Sequence, residues 1–197
     1  MPITDAVRDC CNAIDGLISE RVGVCLAELA ENVPADLAIV EIGSYRGRSA
    51  CFLAAGSAAG HRAPVFAVDP WDTPGNAGGR FGFNQPSVFE SFLANVRAAG
   101  YADLVTALRG FAVQVAPFWT RPIGLLYIDG SHIEQDVRSD WASWSTYLAP
   151  RCAVVFDDYG TPRNPGVTKI VDQLRARYRD FSWTIGPDPL VIGERRG

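Results

Sequence analysis

Lysine is all but missing from this chain of 197 residues: Lys169 stands alone against 17 arginines, and His61 and His132 are the two histidines. Positive charge is also in deficit, with 18 basic against 22 acidic side chains and a formal charge of −4. That balance argues against bulk electrostatic capture of nucleic acid or of an anionic membrane surface. Long apolar runs are absent. The longest stretch without a charge, Ser49 to His61, is 13 residues rich in alanine and glycine, against the ~20 apolar residues that span a bilayer. The first residues, MPITDAVRDCC, bring acids early and no basic stretch ahead of an apolar core, so they do not read as a secretory leader and a cytoplasmic location is expected. The five cysteines (Cys10, Cys11, Cys25, Cys51, Cys152) are odd in number and scattered; they form no zinc-like spacing or disulfide framework, and read as reduced, mostly buried thiols. Repeats and low-complexity tails are missing too.

What is present suits one domain spanning 1–197 with a sizeable core, since 48% of the side chains are hydrophobic. An N-terminal helical segment occupies 1–34, where Val22, Leu26, Leu29 and Val33 recur at near-helical spacing before Pro34. Short apolar strands then alternate with helices. Strands are expected at Leu37 to Ile42, Pro64 to Val68, Leu104 to Leu108, Ile123 to Ile128 and Ala153 to Phe156, with a terminal hairpin of Phe181 to Ile185 and Leu190 to Gly193. Helices are expected from Gly47 to Ala59, around Phe89 to Val96, along Val137, Trp141, Trp144 and Leu148, and along Val167 to Leu174. The fold class is α/β: a Rossmann-like, mostly parallel sheet of seven strands, helices on both faces and an antiparallel hairpin at its edge. Ligands of such sheets bind beyond the carboxyl ends of the strands, where strand order reverses. Pro70 to Pro86, rich in Gly and Asn, is a candidate lid there.

Acids collect at that rim. Glu41-Ile42-Gly43-Ser44-Tyr45-Arg46-Gly47 follows the first strand and opens a helix; it is G-x-x-x-G, and reads equally as a plain strand-to-helix turn or as a loop that lets a ligand approach the backbone. Asp69 ends the second strand, a position from which a carboxylate accepts ribose hydroxyls or caps a turn. Asp129 ends the fourth strand and Asp157-Asp158 the fifth. Three carboxylates on neighbouring strands repel one another unless a hard cation such as Mg2+ lies between them; the alternative is helix capping and pairing with arginines. Ser131-His132-Ile133-Glu134 has the form of a capping box. It would put His132 in the first turn of a helix beside Asp129, where the dipole favours a neutral imidazole able to accept a proton. Trp71, Tyr159 and Trp183 are placed either on a substrate face or in packing.

EIGSYRGRSA, AVDPW, LRG, LYIDGSH and VVFDDYG, in this order and separation, resemble the class I S-adenosylmethionine-dependent methyltransferases. Within them the chain is similar to the divalent-cation-dependent O-methyltransferases of the catechol O-methyltransferase type, and to small bacterial relatives that methylate sugars. The resemblance runs from Leu37 to the terminal hairpin. It implies that Glu41, Gly43, Tyr45 and Ser49 cradle the methionine end of S-adenosylmethionine, that Asp69 holds the ribose, and that Gly110, Phe111 and Ala112 flank the adenine. Asp129, Asp157 and Asp158 match the Mg2+ ligands, although the third is commonly Asn. His132 stands where the catechol enzymes carry a lysine base, a departure that speaks against a catechol acceptor. The acceptor implied is a small molecule or oligosaccharide. Its most specific form is the anomeric 1-OH of a methylated mannoside, as in methylmannose polysaccharide synthesis in mycobacteria. Phenol methylation and a non-catalytic cofactor-binding module are the alternatives. Val7, Ile14, Leu17 and Ile18, without an evident partner in the methyltransferase core, suggest a homodimer.

Overall fold

A computed structural model describes residues 3–71, 87–187 and 189–196. The elements run α1 (Asp5–Asn12), α2 (Glu20–Glu31), β1 (Ala38–Ile42), α3 (Arg48–Ala59), β2 (Val65–Asp69), α4 (Val88–Ala98), β3 (Val105–Arg109) and α5 (Ala112–Val115), then β4 (Ile123–Ile128), α6 (Glu134–Trp144), β5 (Leu148–Phe156), α7 (Pro165–Arg177), β6 (Phe181–Ile185) and β7 (Val191–Arg195). All seven strands form one sheet in the order β3-β2-β1-β4-β5-β7-β6. The first five are parallel, and β7 joins β5 and β6 antiparallel. Strand order therefore reverses between β1 and β4, and the rim beyond those two ends is where a ligand is expected.

Burial explains why these segments pair. Every residue of β1 and β4 is buried, as befits strands covered by helices on both faces. One face packs against α1 to α4, with Leu26, Phe52, Leu53 and Phe92 at its centre. The other packs against α5 to α7, with Val137, Trp141, Trp144 and Val171 at its centre. At Gly23, Gly56 and Gly60 an added Cβ would collide with the Phe52 ring and with the backbone of Ala27 and Glu31 respectively. Glycine there lets α2 and α3 meet almost backbone to backbone.

Several sequence expectations need correction. Ile14 and Ile18 are buried in the core beside Cys11, and Val7 packs against it; the N-terminal residues offered as a dimer surface already have a partner in this chain, and only Leu17, 85% exposed, stands free of it. Leu148 opens β5 instead of continuing α6. The Ser131-to-Glu134 capping box does not form. Its helix begins at Glu134 with Ile133 as the N-cap, because Ser131 Oγ donates to Asp136 at 2.6 Å and Glu134 is taken by Arg138 and Lys169. The same S-x-x-E pattern is realised at Ser87 and Glu90, which cap α4 reciprocally. The five cysteines are all free, with Cys11, Cys51 and Cys152 buried. Apart from Pro70 and Trp71, the stretch expected as a lid lies outside the described residues. Among the described residues no helix is long and apolar enough to cross a membrane.

Candidate functional site

The loop between β1 and α3 is fixed by its neighbours' polar groups. Gly43 adopts a φ of +86°, and a Cβ there would strike the carbonyl of Asp129, so the end of β1 lies directly against the end of β4. Asp69, closing β2, organises the rest: its Oδ2 accepts the backbone N–H of Ser44 at 2.8 Å and of Tyr45 at 3.0 Å, and its Oδ1 accepts that of Trp71. The Trp71 indole donates to the Tyr45 carbonyl at 2.8 Å. These bonds hold Tyr45 at a φ of +46°, a conformation that costs a non-glycine residue energy. Glu41 lies beneath the loop, fully buried. Ser44 Oγ donates to it at 2.5 Å, yet its Oε1 has no partner. Burial pushes its carboxyl up to about 8, against the lowering effect of Ser44 and Ser49.

Over this rim opens a cavity of about 780 Å3. Gly43, Tyr45 and Ser49 line one end, Asp69 and Pro70 the middle, and Phe111, Ala112 and Val113 the other; Asp129, Gly130 and His132 close a side. Most residues expected at the cofactor are thus brought together. Glu41 and Gly110 are not part of the wall. Glu41 lies below the wall, bonded to Ser44. Two groups that the sequence did not assign to a ligand site do line the cavity. Gly16, Leu17 and Ile18 come from the turn between α1 and α2, tied to the loop by Arg46–Asp15 at 3.1 Å and Arg48–Asn12 at 2.7 Å. Asp136, Ser139 and Asp140 come from α6. The 3.6-residue spacing of Asp136, Ser139 and Asp140 on one helix face was the signal available for the second group; the first left none.

Beyond β4 and β5 the carboxyls crowd. Tyr127 donates its hydroxyl to Asp129 at 2.9 Å, and burial together with that carboxylate drives the phenol well above its ordinary range. Burial, and after it the neighbouring Asp129, pushes Asp157 up to about 8, and its Oδ1 is buried without a partner. Asp158 sits at a φ of +60°, accepts from Asn164, and lies 2.9 Å from His132 Nε2, which is 3.8 Å from Asp129. An all-oxygen donor set with an orphaned, buried carboxylate atom suits a hard divalent cation in kind. In position it is not closed around one point: among the described residues no group of three or more His, Cys, Asp or Glu side chains comes together as a metal-holding set. Asp157 and Asp158 also lie off the cavity wall that Asp129 and His132 share.

His132 differs from expectation in its electrostatics. It precedes α6 rather than entering its first turn, and Asp129 foremost, then the charges of Asp158 and Asp157, raise its pKa above the imidazole norm despite partial burial. The three aromatics offered as a substrate face are placed in packing. Trp71 is buried between Phe89 and Phe92, with ring centroids 4.9 Å from each. Trp183 stacks on Phe181, and Tyr159 donates to Asp172 on α7.

Comparison with known proteins agrees with this architecture. Residues 40–159 match the family model described as a methyltransferase domain. An uncharacterized protein of Sinorhizobium fredii, y4gI, is 30% identical over 122 residues, 61% of this chain but only 13% of that protein, so the chain spans a small part of this relative's length. The O-methyltransferase TomG of Streptomyces achromogenes, solved with S-adenosylmethionine and involved in tomaymycin synthesis, superimposes with a TM-score of 0.67 at 21% identity, over 98% of this chain and 91% of TomG. CalS11, a TDP-rhamnose 3'-O-methyltransferase of calicheamicin biosynthesis, gives 0.64 at 18% identity, over 89% of this chain and 78% of its own. At these identities the two structures share the fold.

Proposed function

The chain belongs to the methyltransferase-domain family, and from that premise we propose that it is an S-adenosylmethionine-dependent O-methyltransferase assisted by a divalent cation, with a carbohydrate hydroxyl as acceptor. The observation that carries the reading is the single cavity that joins the Gly43–Ser49 loop and Asp69 to Asp129 and His132. One end offers backbone N–H groups and a carboxylate rim to an amino acid and a ribose; the side near His132 offers a base. Support for the sugar acceptor is the activity of CalS11 and the presence of His132 where catechol enzymes carry lysine.

His132 would accept the proton of the acceptor hydroxyl on its imidazole, while Nε2, 2.9 Å from Asp158, faces the carboxylates. Asp129 and Asp158 orient the ring and stabilise the imidazolium that results. The Gly43 turn and the Asp69-bound loop fix the methyl donor's position, which matters because transfer needs oxygen, carbon and sulfur in line. Asp129, Asp157 and Asp158 would hold the cation, which when bound supplies positive charge that acidifies the hydroxyl. An anomeric hydroxyl, already more acidic than its ring neighbours, suits this chemistry, and the 1-OH of a methylated mannoside is the specific form to test first.

Labelled S-adenosylmethionine with a panel of mono- and disaccharides and simple catechols tests the reading. Expected are transfer to a sugar, loss of turnover in EDTA with recovery in Mg2+, and the same loss in Asp157→Ala with S-adenosylhomocysteine binding retained. Full activity in EDTA would overturn the cation assignment, and preference for catechols would overturn the acceptor class. Failure to bind S-adenosylhomocysteine would overturn the whole proposal.

A further inference from the structure

The cavity wall includes Pro70, Phe111 and Ala112 from the ends of β2 and β3 and, from α6, Asp136, Ser139 and Asp140. The loop after β3 brings no polar side chain to this end, since Gly110-Phe111-Ala112 are apolar throughout. Polar groups come instead from α6, and two of its three cavity-facing side chains are already engaged: Asp136 accepts from Ser131 at 2.6 Å, and Ser139 donates to the Gln135 carbonyl at 2.8 Å. Asp140 is different. It is only 8% exposed, faces the cavity, and among the described residues its carboxylate makes no hydrogen bond or ion pair.

Its position is well fixed. Trp144, one turn further along the same buried face of α6, donates its indole N–H to the Ala112 carbonyl at 3.1 Å, which locks α6 against the loop after β3. At the other side, a Cβ added to Gly130 would lie 3.9 Å from Asp140 Oδ2. A buried carboxylate without a donor is costly to keep, and burial first, then the charge of Asp136, pushes Asp140 up to about 6. A group kept so is relieved when a ligand brings a donor into the slot.

We infer that Asp140 is the residue that selects the base of the cofactor, its carboxylate accepting the 6-amino group of adenine in the slot between Ala112 and α6. The inference rests on the S-adenosylmethionine reading above. Adenine carries one hydrogen-bond donor, that amino group, and otherwise presents acceptors. A 6-oxo purine would set an oxygen against the carboxylate, so Asp140 both attracts the right base and repels the wrong one.

Calorimetry with S-adenosylhomocysteine and its deaminated analogue S-inosylhomocysteine tests this at pH 7.5. The wild-type protein is expected to prefer the adenine form by at least about tenfold. Asp140→Asn, whose amide can donate to a 6-oxo group, should shrink that ratio to near one or invert it, and Asp140→Ser should erase it, with thermal unfolding confirming that each variant folds. A wild-type protein that binds both ligands equally, or a ratio unchanged in the folded variants, overturns the assignment. Binding of neither ligand to the wild type would instead strike the methyltransferase-cofactor reading itself.

Discussion

Asp69 and Asp157 occupy equivalent places, each closing or following a parallel strand at the same rim of the sheet, yet their surroundings are opposite. Asp69 is ringed by three backbone N–H groups, from Ser44, Tyr45 and Trp71. Asp157 faces Asp129 and Asp158 and leaves Oδ1 unpartnered. The same side chain at the same topological position therefore becomes either a loop organiser or a charge in want of a proton or cation, according to what the adjoining strand ends supply. The first kind of site recognises; the second is primed to react. One observation complicates the division: Oδ2 of Asp69 is already fully used, so the lone pair left on Oδ1 can accept one ribose hydroxyl, fewer than the two expected of it.

The reactive half should yield the largest effect. His132→Ala is expected to lower kcat by roughly 10²- to 10⁴-fold with S-adenosylhomocysteine affinity nearly unchanged, because the proton moves only on the way to the transition state. The wild-type rate should rise with pH through an imidazole titration that the variant lacks. Full activity in the variant would remove His132 from the mechanism.

The recognition half should respond in binding instead. Asp69→Ala strands three N–H groups and one ribose contact, and should cost roughly 1–3 kcal/mol of S-adenosylhomocysteine affinity and a similar amount of folding stability. Asp157→Ala in the same titration should change affinity little. Equal losses in both variants would dissolve the distinction between the two halves.

A smaller effect sharpens the comparison from beneath. Glu41, raised to about 8 by burial, is protonated in the folded protein across a range where the unfolded chain has released the proton. Its contribution to stability is constant below an ordinary glutamate pKa, falls as pH rises towards about 8 by up to ~1.4 kcal/mol per pH unit, and levels off above. Asp157, also raised to about 8, adds a slope of the same sign. Glu41→Gln should remove the Glu41 share of that slope in urea unfolding followed from pH 5 to 9. An unchanged profile would mean that Glu41 keeps its charge under the loop.

The strands were legible because alternating short apolar runs leave little choice, and the expected ends of β1, β2, β4 and the hairpin fall within two residues of those observed. Asp129, Asp157 and Asp158 follow from the same logic, since a residue after a parallel strand must stand at the rim. The rest depended on competition between partners that a linear pattern does not display. Ser131 and Glu134 have capping-box spacing but bond Asp136, Arg138 and Lys169 instead. Ile14 and Ile18 look unpartnered until α3 is placed beside them. Asp140 reads as an ordinary helix acid until the fold sets it, nearly buried, in the cavity wall, and Leu17, read as an apolar residue in want of a partner, lines that cavity while 85% exposed.

The glycine contacts between α2 and α3 carry a mechanical consequence. Gly23 makes room for the Phe52 ring, and Gly56 and Gly60 for the backbone of Ala27 and Glu31, so a side chain at any of the three would force α2 and α3 apart. The turn at Gly16–Ile18 is anchored to α2 on one side and, through Asn12 and Asp15, to Arg48 and Arg46 on the other. This wall of the cavity is thereby braced from two directions, by the helix pair behind it and by the two arginines of the loop beside it.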